Sequence, residues 1–274
     1  MIGFVLDLRS APEGGAVVPA RLTPPGGSLD QLQQCGTVAF LVHGFNVNRA
    51  TATGELQAFG AKLVALGSGA AVSVLWPGDS VVGPLCYPFE TNKADDSAVE
   101  LATFIAESLP QRPAISFIGH SLGCRVVMET VRHLWIKDIP VAQVCVMAAA
   151  VDNDSLACAA EYFNAARYAT RVAVLSSPAD QVLQNAYPIG NLISAFLHWI
   201  STTDAALGYT GPRTSALPPG TLPPEVQGVA IPAGARVNHG DYLPDPGGAF
   251  NDKQLSAARF ANAVIAGLTP LVYS

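Results

Sequence analysis

Ser121 stands in Gly119-His120-Ser121-Leu122-Gly123, directly after the short apolar run Ala114 to Ile118 and at the head of an amphipathic segment. In a sharp strand-to-helix turn a serine adopts a strained backbone, the glycines on either side leave room for the turn, and the hydroxyl is lifted above the sheet. The helix that begins beneath it offers free N–H groups and a positive dipole end, both of which favour a developing oxyanion. Such a hydroxyl is a nucleophile if a base can reach it. Upstream, the run Thr37 to Val42 leads into His43-Gly44-Phe45-Asn46. A His-Gly-X turn at the end of a strand aims the N–H of X at the nucleophile, so Phe45 N–H and Leu122 N–H form the expected oxyanion hole. Without the serine turn downstream, His43 and Gly44 would read equally well as the end of a strand.

These residues need a scaffold, and the rest of the chain supplies the pattern of one. Apolar runs at Thr37 to Val42, Ala71 to Trp76, Ala114 to Ile118, Val141 to Met147 and Arg171 to Leu175 read as strands. They are continuous rather than alternating, as strands buried on both faces are. Between them Thr51 to Leu66, Asp95 to Leu109, Ser121 to Trp135 and Asp154 to Tyr168 carry helical periodicity. Strands alternating with helices predict an α/β fold, a mostly parallel sheet with helices on both faces. The N-terminus reads as a strand and turn, and Ser10 to Gly36, rich in Gly and Pro, as a loop or hairpin. Gly211 to Pro246 holds eight prolines and should be largely irregular apart from a last strand at Val226 to Ile231. A helix from Asp252 to Gly267 would close a single domain spanning 1–274.

Composition narrows the function. Half of the 274 residues are apolar and only 13% are charged, which excludes intrinsic disorder. The net charge is −6 and the 15 Lys and Arg residues are scattered, so no basic stripe is available for nucleic acid. Five cysteines (Cys35, Cys86, Cys124, Cys145, Cys158) show neither a CxxC nor a Cys/His ligand spacing, so no metal is expected and a reducing compartment fits. Cys124 reads as a small core residue. With no leader-like start and no long apolar run, no transmembrane segment is expected and the location should be cytoplasmic. Nothing in the sequence speaks to oligomeric state.

On the strength of Val42-His43-Gly44-Phe45-Asn46, Trp76-Pro77-Gly78 after the next strand, and Gly119-His120-Ser121, the sequence resembles the α/β-hydrolase superfamily. In particular it is similar to an uncharacterised bacterial serine hydrolase family with VHGFN, WP and GHSxG motifs, over roughly Thr37 to His239. The resemblance implies the α/β-hydrolase fold and a chain order of Ser, then Asp or Glu, then His. His239, in Val237-Asn238-His239-Gly240-Asp241, lies where the family places its base. His198, in an apolar helical stretch, reads as a core or cap residue, and His120 is expected to point away from the nucleophile. Asp180, after the strand Arg171 to Leu175, matches the position of the acid. Asp152, one strand earlier, is the alternative acid, although Asp152-Asn153-Asp154 also reads as a helix N-terminal cluster. Asp95-Asp96 similarly reads as the start of a helix.

Two apolar stretches are candidates for the substrate pocket. Ala186 to Ile200, with Phe196 and Trp199, is either a cap over the acyl group or a core helix, and the loop Gly78 to Glu90, containing Tyr87, could line the facing wall. The expected activity is cofactor-free hydrolysis of small or medium acyl esters, a carboxylesterase. A lipase, thioesterase, acyltransferase or perhydrolase would share the triad. A non-catalytic binding module on the same fold is the alternative from another class, and it would be expected to lack a triad residue.

Overall fold

The computed structural model describes residues 3–23, 27–79, 87–109, 113–185, 205–214 and 221–274, with residues 87–90 described by their backbone alone. In chain order the elements are β1 (Phe4–Arg9), β2 (Val17–Leu22), α1 (Leu29–Gln33), β3 (Thr37–Val42), α2 (Arg49–Ala65), β4 (Ala70–Leu75), α3 (Tyr87–Ser108), β5 (Ala114–His120), α4 (Gly123–Ile136), β6 (Val141–Met147), α5 (Phe163–Tyr168), β7 (Ala169–Ser176), α6 (181–185), α7 (Leu207–Thr210), β8 (Val226–Ala230) and α8 (Asp252–Ile265). Eight strands form one sheet in the order β2-β1-β4-β3-β5-β6-β7-β8. The edge strand β2 runs antiparallel to β1, and every other neighbouring pair is parallel.

The continuous apolar runs become the central strands because both faces of a parallel sheet must be covered. Val38, Phe40 and Val42 of β3 pack with α3, α4 and α5, and Phe40 stacks on Phe117 of β5 with ring centroids 5.6 Å apart. Leu41 belongs to the opposite core, formed with Leu56, Phe59 and Leu63 of α2 and Phe260, Ala261 and Val264 of α8. Register then decides where chemistry can occur. Val42 pairs with Gly119, His120 with Met147, Met147 with Leu175, and Ser176 with Ala230. Five strands therefore end along one edge, the edge at which open α/β sheets bind ligands.

Several boundaries differ from those read in the sequence. The helix expected over Asp154 to Tyr168 is confined to Phe163–Tyr168. The preceding residues form turns, with Ser155 N–H donating to Asp152 O, Ala157 N–H to Asp154 O, and Ala159 at φ 67°. Asp95 does not start a helix, because α3 begins at Tyr87; instead its carboxylate receives the Arg125 guanidinium at 2.8 and 3.0 Å. The Gly- and Pro-rich N-terminal segment contributes the edge strand β2 and the short helix α1, capped reciprocally by Ser28 and Gln31. Cys35, Cys124, Cys145 and Cys158 are free thiols. Among the described residues no helix is long and apolar enough to cross a membrane.

Candidate active site

At the end of β5 the chain reverses at Ser121, whose φ is 55°. A left-handed conformation at a non-glycine residue costs of the order of 1–3 kcal/mol, so the surroundings must enforce it. Ser121 N–H donates to Met147 O (3.1 Å), while Ser121 O accepts from Cys124 N–H (3.0 Å) and Ala150 N–H (3.2 Å). The flanking glycines are required by close approach. A Cβ on Gly119 would lie 2.9 Å from Cys124 Cα, and one on Gly123 only 2.2 Å from His43 O. The first turn of α4 is thus pressed against the end of β3, with Ser121 almost fully enclosed.

Three polar side chains from distant parts of the sequence meet here. Ser121 Oγ lies 2.8 Å from His239 Nε2, and His239 Nδ1 lies 2.8 Å from Asp180 Oδ2. Asp180 is fully buried and follows β7 as the cap of α6, its Oδ1 accepting from Leu183 N–H at 3.0 Å. His239 begins a three-residue 3-10 turn after β8. That turn is fastened on several sides: Ser177 Oγ donates to Val237 O (2.5 Å), Asn238 Oδ1 accepts from His239 N–H (2.9 Å) and Gln181 N–H (3.1 Å), and Lys253 Nζ meets Asp241 Oδ2 (2.7 Å). Asp152, the other candidate acid, is joined to Ala206 through an isolated antiparallel bridge.

The turn carrying Phe45 lies across the elbow, close enough that a Cβ on Gly44 would stand 2.9 Å from Ser121 Cβ. Its shape is set by the residues after β4. Trp76 Nε1–H donates to His43 O (2.8 Å), Trp76 N–H to His43 Nε2 (3.3 Å), and Asn46 N–H to Gly78 O (2.7 Å). His43 Nδ1 faces Gly44 O at 2.8 Å, so Nδ1 carries the proton and Nε2 accepts. Burial pushes the His43 imidazole down to about 4, which keeps it neutral. Beneath the turn the buried Arg9 guanidinium pairs with Asp79 and donates to Val47 O (3.2 Å) and Pro12 O (3.2 Å).

Ser121, His239 and Asp180 are thus brought together, with Leu122 next to Ser121 in the chain and Gly44, the neighbour of Phe45, lying against Ser121. Phe196, Trp199 and His198 lie outside the described residues, as does the side chain of Tyr87. Reading the sequence missed the fastening groups. Ser177 and Asn238 carry no motif, and Arg9 and Asp79 are isolated charges whose pairing only the fold reveals. The Trp76-Pro77-Gly78 signal was visible without its purpose. His120 also reaches further than expected, for its ring contacts the main chain of His239. Among the described residues no three His, Cys, Asp or Glu side chains form a group able to hold a metal ion.

A family model described as an alpha/beta hydrolase of unknown function (DUF900) matches residues 29–209. No curated protein matches. Solved structures similar to this chain include an esterase from Pyrobaculum calidifontis, 14% identical, covering 90% of this chain and 79% of that one with a TM-score of 0.44. A carboxylesterase from Mesorhizobium loti is 16% identical over 84% of this chain and 88% of its own, with a TM-score of 0.39. An extracellular α/β-hydrolase from a Paenibacillus species is 17% identical with a TM-score of 0.29; the match covers 44% of each chain, so less than half of that protein is spanned.

Proposed function

The chain belongs to the α/β-hydrolase family that its residues 29–209 match, and from that premise we propose that it is a serine hydrolase, specifically a carboxylesterase for small or medium acyl esters. The observation that carries the reading is the continuous array from Ser121 Oγ to His239 Nε2 and from His239 Nδ1 to Asp180 Oδ2, each step 2.8 Å. With His239 neutral and its proton on Nδ1, the Ser121 hydroxyl donates to Nε2 and gives up its proton as Oγ attacks the ester carbon. Asp180 holds the ring in that tautomer and stabilises the imidazolium that forms. The carbonyl oxygen, now an oxyanion, accepts from the N–H groups of Leu122 and Phe45. The intermediate collapses, His239 returns the proton to the departing alkoxide, and the acyl group remains on Ser121. Water, deprotonated by His239, then releases the acid by the same steps. Phe196, Trp199 and Tyr87 are the side chains to vary in search of the acyl pocket.

The reading is tested with p-nitrophenyl esters of increasing acyl length, using wild type and Ser121→Ala side by side. Turnover with a preference for shorter chains, lost by several powers of ten in Ser121→Ala, is the expected result. Equal turnover by the two proteins would refute it.

A further inference from the structure

The residue preceding Ser121 connects the two sides of the array. His120 Nε2 lies 2.9 Å from the main-chain oxygen of His239. Its ring centroid is 5.1 Å from that of His239 and 5.7 Å from that of Tyr242. On the opposite side a Cβ on Gly44 would stand 3.3 Å from His120 Nδ1, so the ring fills the space between the base and the turn carrying Phe45. A carbonyl oxygen can only accept, which places the His120 proton on Nε2 and the lone pair on Nδ1. The ionisable groups around it are His239, Asp180, His43 and Tyr242. Desolvation, with His239 acting in the same direction, lowers the His120 imidazole to about 3 and keeps it a neutral donor.

We propose that His120 is a positioning residue for the general base, its Nε2–H holding the main chain of His239 so that His239 Nε2 meets Ser121 Oγ. The assignment rests on the reading of Ser121 and His239 as nucleophile and base. Its logic lies in the connectivity: residues 120 and 121 are consecutive, so the elbow that presents Oγ also grips the backbone of its partner. The grip acts on the main-chain oxygen of His239 itself, whereas Ser177 and Lys253 fasten Val237 and Asp241 on either side and Asn238 accepts from His239 N–H. A misplacement of about 1 Å in such an array can cost roughly 100-fold in rate.

His120→Leu removes the donor while filling similar space, and His120→Gln can place an amide N–H on the same carbonyl. His120→Leu should lower kcat by about 10- to 100-fold with KM within about twofold, and His120→Gln should recover most of the loss. The proposal is overturned if the folded His120→Leu protein keeps wild-type kcat, or if His120→Gln is no better than His120→Leu. Should His120→Leu fail to fold, two-bond 1H–15N spectra of histidine-labelled wild type decide, with His120→Gln assigning the signal. A neutral Nε2–H tautomer that persists between about pH 5 and 8 is expected, and the Nδ1–H tautomer or a titration in that range overturns the proposal. Ser121→Ala, assayed in parallel, separates the two claims. Full activity there defeats the serine hydrolase reading itself, whereas an inactive Ser121→Ala beside a fully active His120→Leu defeats only the role of His120.

Discussion

The two oxygens of Asp180 have different partners: Oδ1 accepts from Leu183 N–H and Oδ2 faces His239 Nδ1. An amide in its place would keep the shape but offer N–H to one of two donors, and the imidazole would turn to its other tautomer. Asp180→Asn should therefore lower kcat by about 10³- to 10⁴-fold with the fold intact, by analogy with the same change in a serine protease. Asp152→Asn should have little effect, and a larger loss at Asp152 would overturn the assignment. His43 makes a prediction about stability. Its folded value of about 4 lies below the roughly 6.5 of an exposed histidine, so as pH falls through that interval the unfolded chain binds a proton that the folded chain refuses. Stability should drop by about 2 kcal/mol between pH 7 and 5 from this group, with His120 acting in the same direction. Glu55 opposes them: burial, then Asp245, raises its carboxyl to about 7, so the folded state gains as acid protonates it. Glu55 is partly exposed and its contribution is screened accordingly. Urea unfolding at pH 7 and 5 should show a smaller acid loss for His43→Gln than for wild type, and parallel losses would contradict a buried neutral His43.

Among the elements, those with two buried faces are the ones legible in the sequence. β3 and β6 begin and end at the residues expected, because a continuous apolar run leaves few alternatives for a short segment. The start of α3 was obscured by Pro88, which breaks a helix interior but is tolerated in a first turn, where its missing N–H has no intrahelical partner anyway. The stretch before α5 has helical spacing but is taken up by successive main-chain turns, Ser155 N–H to Asp152 O, Ala157 N–H to Asp154 O and Ala160 N–H to Ala157 O, with Ala159 at φ 67° interrupting any helical run. The grouping of Ser121, Asp180 and His239 could be anticipated through the resemblance, which supplies the order Ser, acid, His, and the fold makes it possible because each follows a strand that ends on the same edge. The bracket formed by Trp76, Gly78, Arg9 and Asp79 could not, since it joins loops that sequence spacing does not relate. At the elbow α4 meets the end of β3 most closely at Gly123, where a methyl group would stand 2.2 Å from the backbone oxygen of His43. Gly123→Ala should cost about 1–3 kcal/mol or more by urea unfolding and lower kcat as well, because α4 must withdraw from the turn that carries Phe45. An unchanged midpoint and rate would show that this contact does not set the site.

At the scale of the whole molecule, composition and alternation foretold a mostly parallel sheet covered on both faces, but not the lateral order of its strands. That β1 lies between β2 and β4 follows from pairing choices that a buried apolar strand can make with any neighbour. Long-range polar contacts complete the assembly. Arg171 of β7 reaches Gln143 of β6 at 2.9 Å and the carbonyls of Val264 and Leu268 beyond the sheet at 2.6 and 2.7 Å, tying the last helix to the strands. Through this scaffold the Ser121 hydroxyl is set against His239 and, beyond it, Asp180, and the proposed function singles out that hydroxyl as the nucleophile. That assignment is tested most directly by treating the intact protein with a fluorophosphonate and locating the adduct by mass spectrometry. One adduct per chain is expected, on Ser121, absent from Ser121→Ala and greatly slowed in His239→Ala; no labelling of the folded protein, or labelling that survives in Ser121→Ala, would contradict the assignment of Ser121.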